Sequence, residues 1–301
     1  MPIAAIIGGS GRMGTWFANF LATNGYEIVI YDKKERAARR LARKRGFRFA
    51  NSETQAAELS DITILATPTH TTKTLLPKIA SRTSRSKLLV EISSTKQPLQ
   101  GTIQALVRRG FKILSIHPMF GPGTKSLVGK AVIVTQDPLE ARLAKDFLTV
   151  LKCKGARIVR SDLRRHDRMV ATTLSLPHLV NFAFIQTLRR SGLSFTEARA
   201  VGGTTFKLQL LVAEALYRES IHNEISILAD NEYSSAVFAT FAQQINRIRN
   251  ATHTGSRSVL VNQLKKESAY VKKDKLFRTA YERFTRAAEI ADPDGDSNLL
   301  C

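Results

Sequence analysis

Cysteine is nearly absent: 301 residues contain two, Cys153 and the C-terminal Cys301. That excludes a disulfide framework and a cysteine-rich metal cluster, so no metal is expected and the chain suits a reducing cytoplasm. Long apolar runs are missing too, and nothing approaches the ~18 residues a membrane-crossing helix requires. The opening Met1-Pro2-Ile3-Ala4-Ala5-Ile6-Ile7-Gly8 is apolar but short, has no basic leader and runs straight into glycines. It predicts a buried first strand rather than a signal peptide. Acidic residues are the third scarcity, with 25 Asp and Glu against 46 Lys and Arg and a formal net charge of +21. What is present, 43% hydrophobic residues with 17 Gly and 9 Pro, is the composition of an ordinary folded protein, long enough for two domains.

The positive charge is unevenly placed. Residues 1–160 hold 27 basic and 10 acidic side chains, a surplus of 17, whereas residues 161–301 hold 19 and 15, a surplus of 4. The densest run is Lys33, Lys34, Arg36, Arg39, Arg40, Arg43, Lys44, Arg45 and Arg48. A nucleic-acid binder on a dinucleotide fold would have such a run, and it is the alternative from a different functional class. However, Ala37, Ala38, Leu41 and Ala42 among those charges predict a surface helix with its apolar stripe on a sheet. The run then reads as a solvated face whose field draws in anionic cofactors and substrates.

Up to residue 160 the chain alternates apolar runs with helical patterns. Strands are predicted at Ile3–Ile7, Glu27–Tyr31, Ile62–Ala66, Lys87–Ile92, Phe111–Ile116, Ala131–Thr135 and Ala156–Val159. Helices are predicted at Arg12–Thr23, Thr69–Ala80, Leu99–Arg108 and Leu139–Leu151. Near-continuous apolar strands separated by helices imply an α/β, doubly wound, Rossmann-type sheet. After Ser161-Asp162, which reads as a helix N-cap, the pattern stays helical to about Ala291, with Pro177 an irregularity in the long stretch Leu163–Arg190. The expected organisation is a dinucleotide-binding domain over 1–160 and an all-α domain over 161–301, its tail Asp292-Pro293-Asp294-Gly295-Asp296 frayed.

Gly9-Ser10-Gly11-Arg12-Met13-Gly14 fits G-x-G-x-x-G between a strand and a helix. The glycines serve a tight turn, close approach of backbone to a diphosphate, and helix-on-strand packing. Asp32, 18 residues after Gly14, stands at the end of the second strand, where an acid accepts hydrogen bonds from a ribose. Asp32 favours NAD, while Lys33, Lys34 and Arg36 leave NADP possible. Thr67-Pro68-Thr69, past the following strand, is placed at the other rim of the same crevice. Ser115-Ile116-His117-Pro118-Met119-Phe120-Gly121-Pro122 brings a histidine to the carboxyl edge of the sheet, where substrate would meet the nicotinamide. Histidine suits a general base because it titrates near neutrality.

With these motifs, the chain resembles prephenate dehydrogenases and their arogenate-using relatives over nearly its whole length. The resemblance lies in Gly9–Gly14, Ser93-Ser94-Thr95-Lys96, His117-Pro118-Met119-Phe120-Gly121-Pro122, Arg165-His166-Asp167, Ser175-Leu176-Pro177-His178 and Phe206-Lys207-Leu208. It implies an oxidative decarboxylation in tyrosine biosynthesis. His117 takes the proton of a ring hydroxyl as hydride leaves for NAD, and the ring carboxylate departs as CO2 to give 4-hydroxyphenylpyruvate. Ser94 matches the serine that hydrogen-bonds near that hydroxyl and orients the histidine, and it also reads as a helix N-cap. His178 matches a substrate-pocket histidine. Lys207 stands where relatives place a basic residue for the side-chain carboxylate, often arginine there or one turn later, where this chain has Leu211. His166-Asp167 matches a recurring pair for which helix capping or interdomain hydrogen bonding is the expected role. The long apolar helices of the second domain are expected to form a homodimer interface, and neither a membrane nor a nucleic-acid partner is expected. With no chorismate-mutase segment ahead of Ile3 and no regulatory domain after residue 291, any feedback by tyrosine is expected at the active site.

Overall fold

The computed structural model describes residues 1–255 and 257–291, so Cys301 and the tail expected to fray lie outside the described residues. The chain divides into two compact units. The first is Met1–Val170 with Ile225–Glu232, and the second is Ala171–Glu224 with the chain from Tyr233 onward.

Eight strands of the first unit form one sheet. They are β1 (Ile3–Ile7), β2 (Glu27–Tyr31), β3 (Arg48–Phe49), β4 (Ile62–Leu65), β5 (Leu88–Glu91), β6 (Lys112–Pro118), β7 (Ala131–Gln136) and β8 (Arg157–Arg160), in the order β3-β2-β1-β4-β5-β6-β7-β8. Neighbours pair parallel except β6 with β7. The period-2 alternation of a strand explains why both faces are apolar: Ala4 and Ile6 enter one core, Ala5 and Ile7 the other. Helices α1 (Arg12–Ala22), α2 (Glu35–Arg45) and α6 (Arg142–Cys153) cover the first face through Phe17, Leu21, Ala38, Ala42 and Phe147. Helices α3 (Glu53–Glu58), α4 (Thr69–Ala80) and α5 (Gln100–Arg108) cover the second through Ala56, Leu76, Ile79 and Ile103. Burying a side chain such as Phe17 completely contributes ~1.5–3 kcal/mol. The basic run lies on α2 as its alanine stripe requires, with Ala38 and Ala42 buried and Arg36, Arg40, Arg43 and Lys44 exposed.

Two strand features escape the sequence pattern. β3 has two residues, too short for any periodicity, and pairs with β2. β6 continues two residues past the expected end at Ile116, because β7 returns antiparallel and sets Ile133 opposite His117 and Val132 opposite Pro118. The register shifts between Ser115 and Ile116, a bulge of the kind that re-aims side chains beside functional sites.

Asp162 caps α7 (Leu163–Val170), its Oδ1 accepting from Arg165 N at 2.8 Å. Ala171–Ser175 follows as a π-helical turn, then α8 (Leu176–Arg190). Pro177 sits in the first turn of α8, where a missing N–H costs nothing, so the irregularity falls just before the proline. Beyond α8 lie α9 (Phe195–Val201), α10 (Thr204–Tyr217), α11 (Ile221–Ala229), α12 (Ser234–His253), α13 (Arg257–Val271) and α14 (Ala280–Ala291). The short α9 is set by a capping box of Ser194 and Glu197. In the second unit α10 packs on α8 and α14, burying Leu210 and Ala213.

Candidate active site

The sheet reverses its winding at β1 and β4, and the crevice between their carboxyl ends is where such sheets take ligands. The turn leaving β1 begins one residue before the recognised motif. Gly8 has φ +82°, and a Cβ there would sit 2.5 Å from the Ala66 carbonyl oxygen at the end of β4. The Gly8-Gly9 doublet was the available signal. A Cβ on Gly14 would meet the Gly8 carbonyl at 2.1 Å, so α1 can start against β1 only with glycine in its first turn. The resulting bare backbone, with Gly11 at the helix N-cap and Arg12 and Met13 opening α1, forms a cradle that a diphosphate fits. Asp32 is buried and holds this loop: Oδ2 accepts from Ser10 N at 3.1 Å and Ser10 Oγ at 2.7 Å, and Oδ1 accepts from Lys34 N at 2.9 Å. Across the crevice, Thr67 bonds Thr72 at 2.8 Å through their hydroxyls, and Pro68 is the N-cap residue of α4. Trp16 on α1 donates to the Thr124 carbonyl at 2.8 Å and packs on Phe120, which ties the loop after His117 to the cofactor helix.

His117 is 5% exposed on β6. Its Nδ1 lies 2.9 Å from His166 Nε2, and His166 Nδ1 lies 2.6 Å from Asp167 Oδ1. Asp167 in turn accepts from Lys96 N at 3.0 Å and Gln97 N at 2.7 Å. These bonds fit an assignment of protons in which both rings carry a single N–H. A carboxylate that accepts two amides also accepts from His166 Nδ1–H. His166 Nε2 is then a lone pair, to which His117 Nδ1–H donates. His117 Nε2 remains as the basic lone pair. Burial foremost, then His166 and Lys96, push the imidazole well below the ordinary histidine value of 6.5, so His117 is neutral at neutral pH.

Asp167 therefore caps the 3-10 turn Gln97–Leu99 that leads into α5, the task the sequence assigned to Ser94. Ser94 is half-buried in the loop after β5, and the partner that orients His117 is His166. Beneath this relay sits a pair the sequence reading passed over. Lys96 and Glu91 are both fully buried, with Nζ 2.6 Å from Oε1. Lys96 Nζ also donates to the Ile116 carbonyl at 2.7 Å. Glu91 accepts from Ser115 Oγ, and from Ser93 N at 2.9 Å. The signal was an acid inside the apolar strand Leu88–Glu91, which requires a cation or its own neutralisation.

In the second unit, His178 lies near the start of α8 and is buried, with Nδ1 2.5 Å from Glu224 Oε2. Glu224 thus fixes Nδ1–H and leaves Nε2 as the other ring site. Lys207 is half-buried in the first turn of α10.

Two family models match the chain in succession: the nucleotide-binding domain of prephenate dehydrogenase over residues 17–160 and its dimerization domain over 162–266. The chain belongs to the prephenate dehydrogenase family. Among curated family members, it is 24% identical over 270 residues to a probable arogenate/prephenate dehydrogenase of Methanocaldococcus jannaschii, covering 88% of this chain and 60% of that one. It is also 24% identical to the T-protein of Enterobacter agglomerans, covering 85% of this chain and 64% of that one. The chain thus spans less than two thirds of the length of these relatives. The fold matches that of Aquifex aeolicus prephenate dehydrogenase, solved with hydroxyphenyl propionate and NAD+, with a TM-score of 0.73 at 20% identity over 91% of this chain and 98% of that one.

Proposed function

We propose that this protein is a prephenate dehydrogenase that converts prephenate to 4-hydroxyphenylpyruvate and CO2 with NAD as hydride acceptor, serving tyrosine biosynthesis. The observation that carries the reading is the relay Asp167–His166–His117, which leaves His117 with a basic Nε2. Bound NAD supplies the hydride acceptor, and the glycine cradle with Asp32 would hold its diphosphate and ribose. His117 Nε2 takes the proton of the ring hydroxyl as that carbon loses hydride. Loss of the ring carboxylate as CO2 then leaves its bonding electrons in the ring, which becomes aromatic. The proton held by His117 returns to the phenolate oxygen, so acid and base balance over the cycle. Ser94 bonds the substrate hydroxyl, while His178 and Lys207 are the second unit's substrate-binding residues, Lys207 meeting the side-chain carboxylate.

The family's dimerization model covers residues 162–266, and α13 buries none of its residues within the chain while exposing Val259, Val261 and Leu264. A homodimer formed through this unit accounts for both. The exposed free thiol of Cys153 suits the reducing cytoplasm we propose as its compartment. No described helix is long and apolar enough to cross a membrane.

A spectrophotometric assay that crosses prephenate and arogenate with NAD and NADP tests the reading. The expected result is highest kcat/KM for prephenate with NAD, and preference for arogenate would reassign the substrate. Two variants probe the binding residues. Asp32→Ala is expected to weaken NAD and raise the NADP-to-NAD ratio of kcat/KM, since a carboxylate that repels a 2′-phosphate is gone while Lys33, Lys34 and Arg36 remain. A wild-type preference for NADP would contradict this reading of Asp32. Lys207→Ala is expected to raise the KM for prephenate by roughly 10- to 100-fold, the worth of a hydrogen bond to a charged group, with kcat largely kept. Loss of kcat at unchanged KM would place Lys207 in the chemical step instead.

A further inference from the structure

The buried pair Lys96–Glu91 has no part in the proton transfer described above, yet Lys96 touches that machinery at both ends. Its side chain donates to the carbonyl of Ile116, which belongs to the peptide joining Ile116 to His117. Its main-chain N–H donates to Asp167, the far end of the histidine relay. Glu91 completes the frame: it takes Lys96 Nζ and Ser115 Oγ on one oxygen and Ser93 N on the other, and Ser115 Oγ reaches Thr135 Oγ1 of β7 at 2.7 Å. β5, β6, β7 and α7 are thereby joined through one ion pair that solvent does not reach.

We infer that Lys96, held by Glu91, is a positioning residue for His117, fixing the Ile116–His117 peptide and the carboxylate of Asp167 relative to one another. The inference rests on the reading of His117 as base. Three points favour positioning over a purely structural role. First, a buried ion pair is a poor stabilising device, since an apolar pair of similar volume is often as stable. Second, while keeping its counter-ion, Lys96 Nζ also bonds the carbonyl of the peptide leading into His117, at the β6–β7 register shift. Third, the His117–His166–Asp167 chain holds one tautomer only while its two ends stay at hydrogen-bond distance, and Lys96 bonds Asp167 at one end and the peptide that carries His117 at the other. The charged and titratable groups facing His117 are His166 of α7 and Lys96 of the loop after β5, with Asp167 and Glu91 one bond further. Removing Lys96 removes one of the causes that depress the imidazole, so His117 should become easier to protonate.

The test replaces the pair together, Glu91→Leu with Lys96→Met, which avoids stranding a buried charge. The readouts are circular dichroism and thermal melting, NAD binding through the fluorescence of Trp16, the only tryptophan, and kcat against pH for prephenate. The expected result is a folded protein that binds NAD within about twofold of wild type while kcat falls about 10- to 100-fold, with the acid limb moved to higher pH. Ring 15N shifts of His117 should change from a single Nδ1–H tautomer to a mixture. If the double variant does not fold, Glu91→Gln keeps the volume and one oxygen for Lys96, and it should lower kcat about fivefold or more at unchanged KM. A kcat within about twofold of wild type, with an unmoved pH profile, in whichever variant folds would overturn the inference. His117→Asn measured alongside separates the two claims. If it is inactive while the pair variant is normal, only Lys96 positioning fails; if it is active, the base reading itself fails.

Discussion

Asn in place of Asp167 is expected to lower kcat roughly 10²–10³-fold although it removes no atom from the base, because it inverts the relay. The amides of Gln97 and Lys96 both reach Asp167 Oδ2, at 2.7 and 3.2 Å, while His166 Nδ1 meets Oδ1. An asparagine there must keep its carbonyl toward them and turn its NH2 toward His166 Nδ1. His166 then becomes an acceptor at Nδ1 and a donor at Nε2. His117 Nδ1 must accept, and the proton moves to His117 Nε2, where the lone pair was needed. The fold, the 3-10 cap and NAD binding should be kept. Steady-state kinetics with 15N shifts of the two histidines checks this, and near-normal kcat with the His117 tautomer unchanged would remove Asp167 from the mechanism.

His117→Asn is expected to lower kcat by ~10²–10⁴-fold, the usual contribution of a positioned proton acceptor, while NAD binding and folding persist. The pH profile carries a second, signed expectation. Since burial, His166 and Lys96 all disfavour the imidazolium, wild-type kcat/KM should stay level through neutrality. It should fall only when pH drops below the depressed value, on the acid side of the ordinary 6.5. The limb should be absent from the residual activity of the variant. A limb centred at or above 6.5 would mean that the free enzyme does not hold His117 in the dry relay seen here.

The elements that sequence patterns rendered best are those with a single physical cause. Apolar runs such as Ile3–Ile7 can only be strands covered on both faces, and Gly14 beside Gly8 admits no side chain. The winding of the sheet, the change to helices after Asp162 and the burial of Ala38 and Ala42 beneath the basic run follow from such local rules. What escaped needed long-range pairing. The extension of β6 through His117 depends on β7 returning antiparallel, which Lys112–Pro118 does not encode alone. The relay joins residues 49 positions apart, so Arg165-His166-Asp167 gave an expectation of capping but none of a relay, and the turn that Asp167 caps lies 70 positions away, where Ser94 was expected to serve. Lys96 stands in the matched stretch Ser93-Ser94-Thr95-Lys96 without a role, and only its contact with Glu91 shows it as a buried ion.

The most direct measurement of the central claim is the stoichiometry of turnover by purified protein supplied with prephenate and NAD. The expected result is one NADH and one CO2 for each prephenate consumed, with 4-hydroxyphenylpyruvate as the product, and loss of all three signals together in His117→Asn while Trp16 fluorescence still reports NAD binding. Absence of NADH formation from both prephenate and arogenate, with NAD and with NADP, would contradict it.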